Sequence, residues 1–441
     1  MKTCGSICVS KPLLDKFAIP MQDTIKVRVG SSEVLTRLTS QSSERCTFML
    51  SPALARALLL KKRGRLQFRY DGCNKNIHIG PTIGILATTL ALKGQYDPTS
   101  IRAELIYLSN VSKSLNGQIF IFTPGSINWN DKTTRGYIYQ KGSWVGATYP
   151  LPDVVYDRIS SRTSENKNLN TKKNLMQLPY LKYFNPSFLN KWKVYQMLVT
   201  DNILKPYLPE TKIFNAENMQ EMMQKYKTLF IKPSNGSLGK GIIRAKISGN
   251  GEISFVIYGN SRYKSQADNV EEFIKKTTRI RGEKPYIVQQ GINMANYRGS
   301  TFDLRIIFQK NKKGNWQIGK KFVRVAPRGS SVSNLSSGGR VEISRKVLRY
   351  IFFKNERVDS KFEEVQKLCL RVANTLEEKS SGIYGELGLD IGIDKNGALW
   401  LIEVNSKPRK TTETEFSTLV VRKTFKRPLE FASLLAGFPI K

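Results

Sequence analysis

Between residues 24 and 71 apolar and polar positions alternate in short runs, Ile25-Val27-Val29 and later Leu66-Phe68-Tyr70, the two-residue period of half-buried strands. These runs bracket an apolar stretch at 51–60 in which Ser51 can cap a helix and Pro52 occupies its first turn. A small α+β module over 1–76 is predicted. From Ile77 the texture changes. Residues 77–92 read as a strand, a turn at Gly80-Pro81 and an apolar helix, and 117–124 as a buried strand built on Ile119, Phe120, Ile121 and Phe122. Alternation of strands with helices predicts a small parallel α/β domain over 77–157. Residues 158–179 are basic, polar and poor in apolar side chains, and read as a linker. One large mixed domain over 180–441 is predicted beyond it. It holds a helix at 189–200, a strand at 226–232 running into a glycine-rich loop, antiparallel strands at 304–309 and 316–325, a charged helix at 361–379 and a last hairpin at 388–404.

That hairpin is the most informative stretch. Asn396-Gly397 is the preferred centre of a two-residue type I′ turn. With that turn, Lys395 pairs with Ala398 and Asp390 falls opposite Glu403, their Cβ atoms roughly 5 Å apart. Asn405 shares the face of Glu403 because strand side chains alternate, and the same alternation puts Leu399 and Leu401 there too. Two carboxylates and an amide oxygen with no histidine or cysteine nearby suit a hard cation, Mg²⁺ or Mn²⁺. The competing reading is a solvent-exposed hairpin face bearing unrelated acids.

Two further patterns carry chemistry. Lys232 closes an apolar strand and is followed by Gly236, Ser237, Gly239 and Gly241, a loop whose backbone N–H groups can lie against phosphate oxygens. It lacks the spacing of a Walker A loop and of a dinucleotide fingerprint, and an ordinary hairpin also fits it. Arg324 lies on a strand with apolar alternate positions; an inward guanidinium there needs an anion, either phosphate or a carboxylate such as Asp303 or Glu403.

Composition narrows the chemistry further. The 441 residues contain one histidine, His78, which excludes mechanisms built on histidine pairs, histidine-ligated zinc or a Ser-His-Asp triad unless His78 alone carries them. Five scattered cysteines (Cys4, Cys8, Cys46, Cys73, Cys369) give no zinc cluster and point to a reducing compartment. No window reaches the ~18 apolar residues of a membrane helix, so a cytoplasmic protein is expected. With 71 Lys and Arg against 35 Asp and Glu the net charge is +36, a field that attracts anionic surfaces and acidic substrates. The basic residues form no single stripe and no aromatic-basic motif accompanies them, which argues against nucleic acid as partner.

The order Lys232, glycine loop, Val288-Gln289-Gln290, Asp303-Leu304-Arg305, Arg324, Ser333-Asn334, Gly338-Gly339, Asp390, Glu403-Val404-Asn405 resembles an ATP-grasp domain. More narrowly, 80–86, 325–329 and 401–408 are similar to the YheC/YheD family of endospore coat-associated proteins of spore-forming bacilli. The resemblance implies an ATP-grasp fold, of mixed α/β and α+β class, preceded by the small α/β domain and the N-terminal module. It implies that Lys232 holds the α- and β-phosphates of ATP and that the glycine loop closes over the triphosphate. The hinge at 288–290 then meets adenine, and Lys191 or Lys193 is the second nucleotide-contacting lysine. Asp390, Glu403 and Asn405 would hold Mg²⁺ (or Mn²⁺), Arg324 the γ-phosphate, and Arg305 and Asn334 the substrate carboxylate or the intermediate. Many peptide-ligase relatives carry an acid at the hinge where this chain has Gln290. The implied activity is ATP-dependent joining of a carboxylate to an amine through an acyl phosphate, at the spore coat. The alternative is a spore-coat scaffold that binds nucleotide at most, with coat proteins as partners.

Overall fold

The computed structural model describes residues 3–61, 66–91, 97–236, 239–249, 251–259, 261–328, 338–413 and 417–440. Four sheets follow one another along the chain. The first is six-stranded, ordered Phe48–Leu50, Ser6–Ser10, Ser32–Gln41, Thr24–Val29, Asn76–Gly80, Gln67–Asp71. The short helix Pro52–Ala57 forms as the cap predicts, with Ser51 Oγ accepting from the Leu54 N–H. The module does not stop at residue 76, because Asn76–Gly80 pairs with both Thr24–Val29 and Gln67–Asp71 inside this first sheet.

The second sheet is built on parallel strands Gln118–Phe122, Thr82–Leu86, Val154–Asp157 and Lys182–Phe184, with an antiparallel hairpin, Thr133–Gln140 and Ser143–Pro150, on one edge. The helix expected after Gly80-Pro81 is therefore the strand Thr82–Leu86. All five of its residues are buried between two parallel neighbours, and a short, uniformly apolar run lacks the periodicity that separates strand from helix. The expected linker at 158–179 is also replaced by structure, the helices Arg162–Lys167 and Leu169–Met176. Two of its charged residues, Glu165 and Lys172, join a buried ion cluster. Lys172 Nζ lies 2.7 Å from Glu165 and 3.2 Å from Asp157, and Lys407 lies 2.8 Å from Asp157 and 2.9 Å from Glu165.

The third sheet is wholly antiparallel: Thr211–Ile213, Tyr286–Gln290, Thr228–Pro233, Ile242–Ile247, Ile253–Tyr258, Arg262–Ala267. Helices Ala216–Lys225 and Val270–Arg281 cover one face through Met219, Met222, Val270 and Phe273. The fourth runs Arg340–Glu342, Trp316–Val325, Ser300–Lys310, Glu386–Ile393, Leu399–Asn405, again antiparallel. Its core face packs against helices Lys191–Leu198, Ser344–Phe352 and Asn355–Lys379. Its other face, with strands of the third sheet and the segments 160–166 and 187–200, lines a cleft of about 2560 Å³. The helix Thr418–Leu435 lies against both the second sheet and the fourth.

Candidate functional site

Strand alternation decides which side chains reach the cleft. On Ser300–Lys310, Phe302, Leu304, Ile306 and Phe308 enter the helix-side core, leaving Asp303, Arg305, Ile307 and Gln309 on the opposite face. On Glu386–Ile393, Leu387, Leu389, Ile391 and Ile393 take the core, and Asp390 takes the cleft. Two β-bulges then adjust the neighbouring strands. Ile307 pairs with Lys320 but Phe308 pairs with Ile318, so Gly319 is the extra residue. Ile318 thus packs on the helix side while Lys320, Phe322 and Arg324 line the cleft. A Cβ at Gly319 would run into Gln309 Oε1.

The second bulge corrects the expected hairpin. The connection is a three-residue turn rather than a two-residue type I′ turn: the Asp394 N–H donates to the Ala398 carbonyl at 3.0 Å, and Gly397 sits at φ +84°. Asp394 Oδ1 sets the turn by accepting from the N–H groups of Asn396 and Ala398 at 2.8 and 2.9 Å. Ile391 pairs with Leu401, yet Asp390 pairs with Glu403, which leaves Ile402 as the extra residue. One residue gained at the turn and one absorbed at the bulge cancel, so the two acids do face each other. Leu399 and Leu401, expected beside Glu403, lie instead in the helix-side core with Val404.

Electrostatics knit this face together. Arg305 Nη1 lies 2.5 Å from Asp390 Oδ1, and Arg324 Nη2 lies 2.8 Å from Asp390 Oδ2 and 2.5 Å from Asp303 Oδ2. The rival reading of Arg324, a carboxylate partner in Asp303, is thus present in the structure. Burial alone would raise the Asp390 carboxyl, but Arg305 and Arg324 outweigh it and hold it below the usual range. Burial likewise works against the Arg324 charge, and Asp390 and Asp303 overcome it. Gly388 makes room for this arrangement: a Cβ there would stand 2.8 Å from Arg305 Nη2 and 2.9 Å from Pro408 Cβ.

Lys232 closes its strand as predicted, is buried, and donates to Gln289 Oε1 at 2.6 Å; Gln289 in turn donates to Thr211 Oγ1 at 2.9 Å. Desolvation lowers the Lys232 ammonium to about 8, with Lys191 adding to the effect and Glu403 and Asp390 opposing it. Of the two candidate lysines at the head of the helix Lys191–Leu198, Lys191 reaches inward. Its Nζ lies 2.8 Å from the Gly236 carbonyl and 3.1 Å from Glu403 Oε1. Lys193 is exposed at the cleft rim. In the loop, Gly239 and Gly241 adopt φ of +73° and +76°, the left-handed region open to glycine, and the Gly241 N–H donates to the Tyr258 carbonyl. Gln290 points away from Lys232 and accepts from the Glu210 N–H at 3.1 Å. Ser237 and Asn334 lie outside the described residues.

Beside Lys232 and Glu403 a narrow slot of about 40 Å³ runs between the third and fourth sheets, lined by Val194, Leu198, Ile287 and Leu401 among others. The donor set Asp390, Glu403 and Asn405 consists of hard oxygens and fits Mg²⁺. Among the described residues no three His, Cys, Asp or Glu side chains gather as a metal cluster, so a cation held here would draw on the Asn405 amide as well. Lys191 on Glu403 and the two arginines on Asp390 supply the positive charge that these acids require. Sequence reasoning missed the buried ion cluster behind the cleft, where Glu386 meets Lys410 at 3.0 Å, Arg158 at 3.0 Å and the Tyr156 hydroxyl. Its members come from strands far apart in the chain, and no local motif marks them.

A family profile described as YheC/D like ATP-grasp matches residues 180–435. The chain is similar to the endospore coat-associated protein YheD of Bacillus subtilis strain 168, with 30% identity over 398 residues, 88% of this chain and 86% of the relative. It is also similar to YheC of the same organism, with 25% identity over 292 residues, 65% of this chain and 79% of the relative. Among solved structures, the VanG D-Ala:D-Ser ligase from Enterococcus faecalis aligns over 82% of this chain and all of its own, at 12% identity and a TM-score of 0.47. The profile match and the YheD likeness settle the classification: the chain belongs to the YheC/D-like ATP-grasp family.

Proposed function

We propose that the protein is an ATP-dependent carboxylate–amine ligase acting through an acyl phosphate. Family membership supports nucleotide use, and one observation carries the rest: Asp390, Glu403, Arg305 and Arg324 share one cleft face, with Lys191 and Lys232 reaching Glu403 and Gln289 at its edge. In this reading a substrate carboxylate oxygen attacks the terminal phosphorus of ATP, the bond to ADP breaks, and an amine then displaces phosphate from the acyl phosphate. Lys232 and Lys191 place the phosphates, and the loop 236–241 lays its N–H groups over them. Arg324, and Arg305 beside it, meet the charge that develops on the transferred phosphoryl oxygens. Asp390, Glu403 and Asn405 would hold magnesium, which when bound draws charge off the phosphate oxygens. The narrow slot opens to admit adenine, with the 288–290 strand end as its hinge. The family names support a site of action at the spore coat, where the net charge of +36 favours anionic surfaces.

The test is ADP release with Mg·ATP and pooled carboxylates and amines, with adducts identified by mass spectrometry. Arg324→Lys keeps the charge and loses the planar fork that spans Asp303 and Asp390, so ATP binding is expected to persist while turnover falls about 10²- to 10³-fold. The clamp of Arg324 on Asp303 favours a second reading, a coat scaffold in which the ion cluster is structural. Absence of ADP release from the wild type with every substrate pool supports the scaffold and ends the ligase reading.

A further inference from the structure

The cleft is far more basic than a nucleotide site needs. Eleven lysines and arginines line it against three acids, Glu165, Asp390 and Glu403. Four of those bases are already paired, Lys407 with Asp157 and Glu165, Lys410 with Glu386, and Arg305 and Arg324 with Asp390 and Asp303, which leaves seven of the eleven without an ion pair among the described residues. The residues outside the described set contain a single acid, Glu415, so the excess persists wherever they lie. Magnesium-bound ATP brings a net charge of about −2, well short of that surplus. The volume points the same way, since about 2560 Å³ exceeds the ~300–1,000 Å³ of an ordinary small-molecule pocket.

Part of the surplus sits at a defined place. Lys320 stands on the cleft face two alternations from Arg324, a separation of about 13 Å along the strand. Its Nζ touches the Thr411 hydroxyl at 3.3 Å and lies 5.3 Å from the centre of the Phe322 ring. Among the described residues no carboxylate comes within ion-pair distance of it. Plain alternation from Arg324 through Phe322 puts this lysine in the cleft, and the Gly319 bulge just beyond it turns Ile318 toward the helices. Exposed Arg409 lines the same cleft, two residues before Thr411.

We infer that the carboxylate substrate is an extended oligo-carboxylate, of the size and charge of an acidic tripeptide. One carboxylate lies at Arg324 and a second is held by Lys320. Three extended residues span about 10 Å, which matches the separation once the two side chains lean toward the ligand. The inference rests on the ligase reading for which carboxylate reacts, and on charge and geometry alone for the anion site.

The experiment measures calorimetric binding of N-acetyl-tri-glutamate, N-acetyl-tri-glutamine and a phosphoserine tripeptide to the full chain with ADP and Mg²⁺, beside ADP release from ATP. Wild type is expected to bind tri-glutamate and not tri-glutamine. Lys320→Met should weaken tri-glutamate binding at least about tenfold and Lys320→Arg should restore most of it; circular dichroism verifies that both variants fold. Equal binding of the neutral peptide, no binding of tri-glutamate, binding of the phosphopeptide alone, or an unchanged affinity in Lys320→Met overturns the inference. Lys320-dependent binding without ADP release retains the anion site and removes the ligase. ADP release with simple monocarboxylates, unaltered in Lys320→Met, does the reverse.

Discussion

Lys232 shows how one buried charge sets a measurable property. Its ammonium is lowered to about 8 chiefly by desolvation, and a triphosphate beside it favours the charged form. Below pH 8 the group is already protonated, so ATP affinity is expected to be flat there. Above that value binding must take up a proton, and affinity falls by up to about tenfold per pH unit until the higher value of the complex is reached. Calorimetry from pH 7 to pH 9.5 checks this, and Lys232→Arg, always charged, should flatten the profile. At Gly388 the expectation is steric. Gly388→Ala pushes Arg305 off Asp390 and presses on Pro408, with a stability loss of about 1–3 kcal/mol in urea titration and loss of ADP release. The placement of Lys232 at its strand end and of Arg324, Asp390 and Glu403 on one cleft face was legible because each is a charged residue flanked by apolar neighbours. The choice of Lys191 over Lys193 was not, since both lie in the first turn of one helix and only the approach of Glu403 separates them.

At the scale of elements, the pairing of Asp390 with Glu403 was read correctly from a turn that does not exist. The three-residue turn and the bulge at Ile402 each shift the register by one, in opposite senses. Neither leaves a compositional mark, because Asn-Gly serves both turn types and Ile402 is an ordinary strand residue. The strand Thr82–Leu86 and the helices at 162–176 escaped for related reasons: an all-apolar run has no period, and a basic polar run conceals the pairing of Lys172 with Asp157 and Glu165 and of Arg158 with distant Glu104 and Glu386. Removing the bulge tests its role. Deletion of Ile402 places Glu403 directly after Leu401, so plain alternation is expected to straighten the strand while keeping Glu403 opposite Asp390 on the cleft face and Leu399 and Leu401 in the core. The expected loss is that of one strand side chain, about 1–2 kcal/mol, with Asp390 and Glu403 still paired, and Glu403→Gln should melt near wild type; urea unfolding of the two variants checks both, and a loss well above that range from the deletion shows that the bulge itself holds the register.

For the molecule as a whole, the joints between sheets matter as much as the sheets. The sole histidine is one such joint. His78 Nε2 lies 3.0 Å from Asp153 Oδ1 and its Nδ1 accepts from Arg28 at 2.9 Å, tying the first sheet to the second. The helix Thr418–Leu435 is another. Val421, Phe425, Leu429 and Phe431 complete the apolar core of the second sheet, Arg427 Nη1 donates to the Ile318 carbonyl at 3.0 Å in the fourth, and Phe438 just beyond packs edge-on against His78. Translation gives this arrangement a temporal meaning. Ribosomes deliver about 5–20 residues per second, and domains commonly fold as they emerge. Here the core around Ile83 and Ile85, begun by the helix Ile101–Ser112, is completed only by a helix made several hundred residues later. The nascent chain therefore carries an open apolar surface through most of its synthesis. A chain halted before residue 417 is expected to bind a hydrophobic dye and to show no cooperative melting of the second sheet, and supplying a 417–440 peptide in trans should suppress the dye signal.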